Sequence, residues 1–192
     1  NIWAASHMYP QTLSYEKVGR DVFGDAGYLD DAIVKLNPSG EILYEKSLSQ
    51  VFLENDMEYL LFLGGGLTFN RDPIHLNDIQ PVNNDSEYWK EGDVFLSLRH
   101  QSMILLYRPS SNKIIWKGTG PFFHQHDIDI LDDHTISIFD NNAKIFKDGR
   151  TVDGFNKVII YNFKEDSYTT YMSDSLAEHD VRTPNQGRSE IL

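Results

Sequence analysis

The chain has 192 residues, 40% of them hydrophobic and 24% charged, which indicates a globular protein and excludes a disordered one. Its 17 basic and 29 acidic residues give a net charge of −12, and so acidic a surface repels a phosphate backbone, which excludes nucleic acid as an expected partner. Cysteine is absent, which excludes disulfides, thiolate catalysis and cysteine-based zinc sites.

The first half of the chain opens with short apolar segments separated by turn residues. Residues 1–5 predict a strand, and Ala32–Leu36 and Glu41–Tyr44 predict the two strands of a hairpin. Between these two lies Asn37-Pro38-Ser39-Gly40, where proline presets φ and glycine accepts a positive φ, so the segment predicts a tight turn.

One segment, Ser47–Leu63, has a helical pattern, with Ser47 as its N-cap. Gly64-Gly65-Gly66 ends it and predicts a loop. This loop lacks the lysine and the serine or threonine of a phosphate-binding loop, so nucleotide binding is not expected.

The hairpin pattern returns twice further along the chain. The second copy consists of Met103–Tyr107 and Lys113–Trp116, and the third of Lys157–Tyr161 and Tyr168–Tyr171. Three hairpins of one design in one chain indicate an internal repeat.

Two more predicted strands precede each of the later hairpins. His75–Ile79 aligns with His124–Ile128 as a first strand, and Asp93–Leu98 aligns with Thr135–Phe139 as a second. Four antiparallel strands in a repeated unit are the signature of a β-propeller blade. The sequence therefore predicts an all-β fold, a β-propeller of which this chain holds about three blades.

Both ends of the chain fall within a predicted blade. Residues 1–5 have the character of a second strand with no first strand before it, and residues 187–191 lie where the first strand of another blade should begin. We therefore expect residues 1–192 to form a single partial propeller domain, truncated mid-blade at both ends, and the chain to be a fragment of a longer one.

Polar residues cluster at the predicted strand ends that surround the central channel of a propeller. His75, Asn77, His124 and His126 occupy the starts of two first strands, and Arg99-His100-Gln101 ends a second strand. Imidazoles and a guanidinium in an otherwise acidic protein can hold a compact anion and supply a nucleophile or an acid.

Structural roles are alternatives for each of these residues. A single histidine at a strand start is often a hydrogen-bonded structural residue, and Asp140-Asn141-Asn142 is typical of a turn, since such side chains bond their own backbone. His124 and His126 would share one face of a strand, and with His75 they would form a three-histidine metal site. This site is an alternative, and our expectation is that none of these residues binds a metal. His7 and His179 have no evident partner.

Five motifs resemble, in this order along the chain, those of the arylsulfotransferase (aryl-sulfate sulfotransferase) family. They are an H-x-N strand, an S-x-R strand end, a tryptophan that closes a hairpin, a Q-H strand and an F-D-N turn, which fall here on His75-Leu76-Asn77, Ser97-Leu98-Arg99, Trp116, Gln125-His126 and Phe139-Asp140-Asn141. The five motifs, taken together in this order, carry the resemblance. The resemblance runs from about Asp30 to Leu192.

The resemblance implies a propeller of the six-bladed type and a defined reaction. A sulfuryl group would pass from an aryl sulfate to a phenolic acceptor through a sulfohistidine, with no cofactor and no nucleotide sulfate donor. His126 would be the nucleophile, and His75 and Arg99 would grip the sulfuryl group as the other catalytic residues. Asn77, His124 and His100 are expected to bind the substrate.

The family also uses a histidine from an earlier blade, in a segment that we expect this chain to lack, and His7 is not a convincing substitute. Two other functions stay open: a non-catalytic propeller that binds a sugar or a protein, and a metal-dependent hydrolase built on the three histidines.

The expected partners are therefore a small aryl sulfate and a phenol, while the oligomeric state is left open. No membrane partner is expected, because no apolar run approaches the roughly 18 residues of a membrane helix. Our expectation is an extracellular or periplasmic location.

Overall fold

The first sheet of the protein has three antiparallel strands. The computed structural model describes residues 1–13, 27–63, 68–69, 71–144 and 151–191. In this part of the chain, β1 (Ile2–His7), β2 (Asp31–Leu36) and β3 (Ile42–Ser47) pair in the order β1-β2-β3. The predicted first hairpin is confirmed as β2 and β3.

Two four-stranded antiparallel sheets and one strand pair follow. The pair joins β4 (Phe62–Leu63) to β5 (Thr68–Phe69). The second sheet contains β6 (Leu76–Pro81), β7 (Val94–Leu98), β8 (Met103–Arg108) and β9 (Lys113–Gly118), and the third contains β10 (His126–Ile130), β11 (Thr135–Asp140), β12 (Lys157–Asn162) and β13 (Ser167–Tyr171). In both sheets the spatial order equals the chain order, so the predicted four-strand repeat is confirmed.

The three sheets are consistent with propeller blades. β1 ends and β2 begins at the edge where β6 begins, because Asp31 Oδ2 accepts a hydrogen bond from the Leu76 amide at 3.2 Å and His7 pairs with Asp31. The strands β1, β2 and β3 therefore correspond in direction to the second, third and fourth strands of each later sheet. Residues 187–191, where another blade was expected to start, form no strand.

The helical prediction is correct in part. Helix α1 spans Leu48–Glu54, and the Ser47 Oγ accepts a hydrogen bond from the Gln50 amide at 3.1 Å, so Ser47 is its N-cap as predicted. A separate 3₁₀ turn, Glu58–Leu61, replaces the rest of the predicted helix. The triple glycine at 64–66 lies outside the described residues.

A second helix, α2 (Ser173–Glu178), was not predicted, so the expectation of a single helical segment is wrong. Six residues are too short to show a helical period, and none of them is buried, so no apolar stripe marks the helix in the sequence. No helix in the described part of the chain is long and apolar enough to cross a membrane.

The second sheet is buried on both faces by its neighbours. Leu96 and Leu105 pack into one apolar cluster, and Phe95, Ile104 and Leu106 pack into another. The first cluster also takes side chains of the first sheet and α1, and the second takes side chains of the third sheet, among them Ile33, Val51, Phe52, Ile128, Ile138 and Ile159. Successive residues of a strand point to opposite faces of its sheet. A strand that is apolar throughout therefore packs against one neighbouring sheet on each face.

Candidate functional site

Irregular backbone at the starts of β6 and β10 carries the predicted site residues. His75, with φ of +59°, directly precedes β6, and His124, with φ of +53°, lies two residues before β10. Each strand then shifts register, between Leu76 and Asp78 and between His126 and Ile128. Bulges of this kind re-aim side chains beside binding sites.

This backbone corrects one prediction. The strand expected to open at His124 opens at His126. His124 is therefore outside the strand, and the argument that His124 and His126 share one strand face is wrong.

Three histidines and an arginine converge at this edge. The backbone amides of Arg99 and His100 donate to the carbonyls of His75 and Ile74 at 3.0 and 3.1 Å, which brings the end of β7 against the start of β6. The ring centroids of His75 and His100 are 4.5 Å apart, and those of His100 and His124 are 6.1 Å apart. Burial lowers the pKa of Arg99, and nearby Asp72 opposes that shift.

Asp72 holds two of these rings. Its Oδ2 accepts a hydrogen bond from His75 Nδ1–H at 2.6 Å, and its backbone carbonyl accepts one from His100 Nδ1–H at 2.8 Å. Burial alone would raise the pKa of Asp72, but the hydrogen bond and charge of His75 and the charge of His100 outweigh it and hold the pKa below its usual value. The carboxylate is therefore ionised and orients His75.

Asn141 determines the tautomer of His126. The Asn141 Nδ2 donates to the carbonyls of Thr183 and Gln186 at 2.9 and 2.6 Å, so its Oδ1 must face the His126 Nδ1, 2.6 Å away. An amide oxygen only accepts, so Nδ1 of His126 carries the proton. The lone pair of a neutral His126 is therefore on Nε2.

Burial keeps His124 and His126 neutral. Burial is the main cause that lowers the pKa of His126, and the charges of Arg99 and His75 lower it further. The hydrogen bond to Asn141 acts in the opposite direction. Burial also lowers the pKa of His124, again with the help of Arg99. Both imidazoles are thus available as nucleophile or base near neutral pH.

The segment 183–186 lies over both Arg99 and His126. A terminal guanidinium nitrogen of Arg99 donates to the Asn185 Oδ1 at 2.6 Å and to the Pro184 carbonyl at 3.5 Å. The Gln186 amide donates to His126 Nε2 at 3.3 Å. A ligand that reaches both groups has to displace these contacts.

Asn77 and Gln125 tie the second and third sheets together beside the site. Asn77 Nδ2 donates to the Gln125 carbonyl at 2.8 Å. The side chain of Gln125 is fully buried, and its Nε2 lies within hydrogen-bonding distance of Ser97 Oγ (3.1 Å), the Leu98 carbonyl (3.3 Å) and the Met103 carbonyl (3.0 Å). The substrate-binding roles expected for Asn77, His100 and His124 stay predictions.

Replacement of Gln125 by glutamate should destabilise the protein strongly. A carboxylate would face oxygen acceptors in a buried site, where an uncompensated charge costs about 3–5 kcal/mol. Urea unfolding measures the change in the free energy of unfolding.

Gln80→Glu is the matched control, because Gln80 is partly exposed at the other end of β6 and should tolerate a charge. A change at Gln125 as small as that at Gln80 would mean that the three contacts do not hold the sheets together.

Replacement of Asn141 by aspartate should raise the pKa of His126. A carboxylate beside Nδ1 stabilises the imidazolium, and an opposite charge at this distance raises a histidine pKa by about 1–3 units. The expected result is that His126 titrates at higher pH than in the unaltered protein, as followed by the ¹⁵N resonances of the ring.

His124 supplies the internal control, because its ring makes no described hydrogen bond to Asn141. A titration of His126 that does not move would show that Asn141 does not set its protonation state.

Two groups of side chains among the described residues have metal-binding geometry. They are Asp72, His75 and His100 at the site, and Asp132, Asp133 and His134 at the opposite end of the sheets. Neither contains His124 or His126, so the proposed three-histidine set is not brought together as a ligand group.

Sequence reasoning missed Asp72 and Asn141 as site residues and misjudged His7. Asp72 lies three residues before the H-x-N motif and Asn141 ends the F-D-N motif, so closeness to these motifs was the available signal. His7, expected to lack a partner, has its Nε2 3.5 Å from the Asp31 carboxylate, which also binds the Leu76 amide. Burial raises the pKa of Asp31 to about 6.

Comparison with known proteins gives one result on the family. A protein-family model described as Arylsulfotransferase (ASST) matches residues 1–192, the whole chain. A search among curated proteins finds no match. The family match extends the region of resemblance, which the motifs placed from about Asp30, to residue 1.

Proposed function

The chain belongs to the arylsulfotransferase (ASST) family, and from this premise we propose that it moves a sulfuryl group from an aryl sulfate to a phenol through a sulfohistidine. The observation that carries the proposal is the convergence of Arg99, His75, His100, His124 and His126 at one edge of two adjacent sheets. A sulfate ester is a compact anion, and these groups suit its recognition.

His126 is the proposed nucleophile. Its Nε2 lone pair forms a bond to sulfur while the bond from sulfur to the aryl oxygen breaks, and the electron pair leaves with the phenolate. The lowered pKa of the ring supports this role, because a protonated imidazole has no lone pair to attack with. The hydrogen bond from Nδ1 to Asn141 stabilises the positive charge that develops on the ring.

Arg99 and His75 are proposed to hold the sulfuryl oxygens. A guanidinium remains charged even where burial lowers its pKa, and a fixed donor placed before the reaction lowers the barrier. Asp72 fixes the ring of His75 through Nδ1, so His75 meets the ligand in one orientation.

His124 is proposed to take the proton from the acceptor phenol and to deliver a proton to the leaving phenolate. Since burial lowers its pKa, the neutral ring prevails near neutral pH and suits a base that takes the proton of the acceptor phenol in the second half-reaction. The protonated ring can then deliver that proton to the phenolate of the next donor. The acceptor oxygen attacks the sulfur of sulfohistidine and the bond from sulfur to His126 breaks.

The sheets are proposed to be blades of a six-bladed-type propeller that continues beyond this partial domain. Support comes from the repeated four-strand order and from face-to-face packing of successive sheets. The bulged starts of β6 and β10 would then line the mouth of the central channel. An extracellular or periplasmic location is part of the proposal.

The test is release of a chromogenic phenol from an aryl sulfate, with and without an acceptor phenol and with and without a chelator. Release that depends on the acceptor and survives the chelator is the expected result. Release without acceptor that stops with chelator would instead favour a metal-dependent hydrolase. No turnover at all would favour a non-catalytic binding propeller.

A further inference from the structure

Asp72, His75 and His100 bring three ligand atoms close together. His75 Nδ1 and His100 Nδ1 lie 2.6 and 3.7 Å from Asp72 Oδ2, and each of the three residues offers a ligand atom within 4.8 Å of the other two. We propose that this cluster binds one divalent transition-metal ion of the zinc type. The inference goes beyond the proposed sulfuryl transfer, which requires no metal.

The distances suit zinc. Bonds of about 2.0–2.1 Å in a tetrahedron separate neighbouring ligand atoms by about 3.3 Å. The two observed separations from Asp72 Oδ2, 2.6 and 3.7 Å, lie on either side of that value. Two imidazoles, one carboxylate and a water in the fourth position form a ligand set that zinc uses in proteins.

The backbone holds the two imidazoles together before any metal arrives. The amides of Arg99 and His100 donate to the carbonyls of His75 and Ile74, which places both histidines on one locally paired segment. Their ring centroids are 4.5 Å apart. Little conformational entropy is therefore lost when the ligands are assembled.

Metal binding exchanges hydrogen bonds for coordinate bonds. Both rings now carry a proton on Nδ1, which donates to the Asp72 carboxylate in one case and to its backbone carbonyl in the other. Coordination at Nδ1 requires a neutral ring whose proton is on Nε2, because the Nδ1 lone pair must face the metal. The Asp72 carboxylate supplies the negative ligand.

The positive charge of Arg99 opposes a cation at this place. Its guanidinium is held toward segment 183–186 by the 2.6 Å hydrogen bond to Asn185, and the chain as a whole carries a net charge of −12. The overall field therefore attracts a divalent cation.

The cluster at Asp132, Asp133 and His134 offers a matched comparison. Its Asp132 Oδ1 accepts hydrogen bonds from the amides of His134 and Thr135, so this oxygen caps a turn. The Asp133 side chain is 79% exposed, compared with 22% for Asp72. Water competes better for a metal there, so zinc should prefer the site at Asp72.

Zinc titration by calorimetry, with no sulfate ester present, tests the proposal independently of the enzymatic activity. We expect one zinc per chain, and Asp72→Asn and His100→Gln should each weaken the affinity by at least about tenfold, the lower end of the effect of a lost outer-shell partner. Asp133→Asn and His134→Gln should leave it unchanged. Circular dichroism verifies that each variant is folded.

The ¹⁵N resonances of the unaltered protein give the same answer without a variant. Zinc should move the Nδ1 signals of His75 and His100 and leave those of His134 in place. Absence of zinc binding, or binding that depends on His134 and survives His100→Gln, would overturn the proposal.

Discussion

Replacement of His126 by asparagine is expected to remove turnover of an aryl sulfate and covalent labelling by the donor alone. The proposed reaction passes through a sulfohistidine on this ring, so the variant has no atom that can take the sulfuryl group. The unaltered protein should follow ping-pong kinetics and gain the mass of one sulfuryl group after treatment with donor. Intact-protein mass spectrometry and steady-state rates measure both.

The fold should survive this substitution. The ring of His126 is half-buried, and its loss removes a hydrogen bond to Asn141 that contributes about 1 kcal/mol. His134→Asn, in the turn before β11 at the far end of the sheets, should keep both labelling and turnover. A mass gain that persists in His126→Asn, or that maps to His75 or His124, would place the nucleophile elsewhere.

Replacement of Arg99 by glutamine is expected to reduce turnover by about 10²–10³, the scale for loss of one fixed donor to a developing charge. Arg99→Lys should recover part of that loss, because lysine keeps the charge and lacks the planar fork. If Arg99→Gln keeps a rate within about twofold of the original, the loss falls far below the expected scale. Arg99 would then serve only as a hydrogen-bond partner of segment 183–186.

The pH dependence of the rate should distinguish Arg99→Gln from Arg99→Lys. Burial is the main cause that lowers the pKa of His126, and the charge of Arg99 contributes. Without that charge the imidazolium forms more easily, so the pKa rises and the neutral nucleophile is lost at a higher pH on acidification. The acid limb of the rate should therefore move to higher pH in Arg99→Gln and stay in place in Arg99→Lys.

The strands and their order could be predicted from the sequence alone. Apolar segments such as Met103–Tyr107 and turns such as Asn37-Pro38-Ser39-Gly40 depend on residues close together in the chain, and so does the Ser47 cap of α1. The internal repeat then gave the order of strands in each sheet, because successive strands of a hairpin pair with each other. The motifs located His75, Arg99 and His126 near one another.

The partners of those residues were decided only by the tertiary structure. Asn141 lies 15 residues from His126 and bonds to Thr183 and Gln186, which are 42 and 45 residues away. Arg99 meets Asn185 across 86 residues. No local pattern encodes such contacts, since they arise when separate sheets pack. The same packing buries His126 and thereby lowers its pKa, so its charge state is a property of the fold and not of the motif.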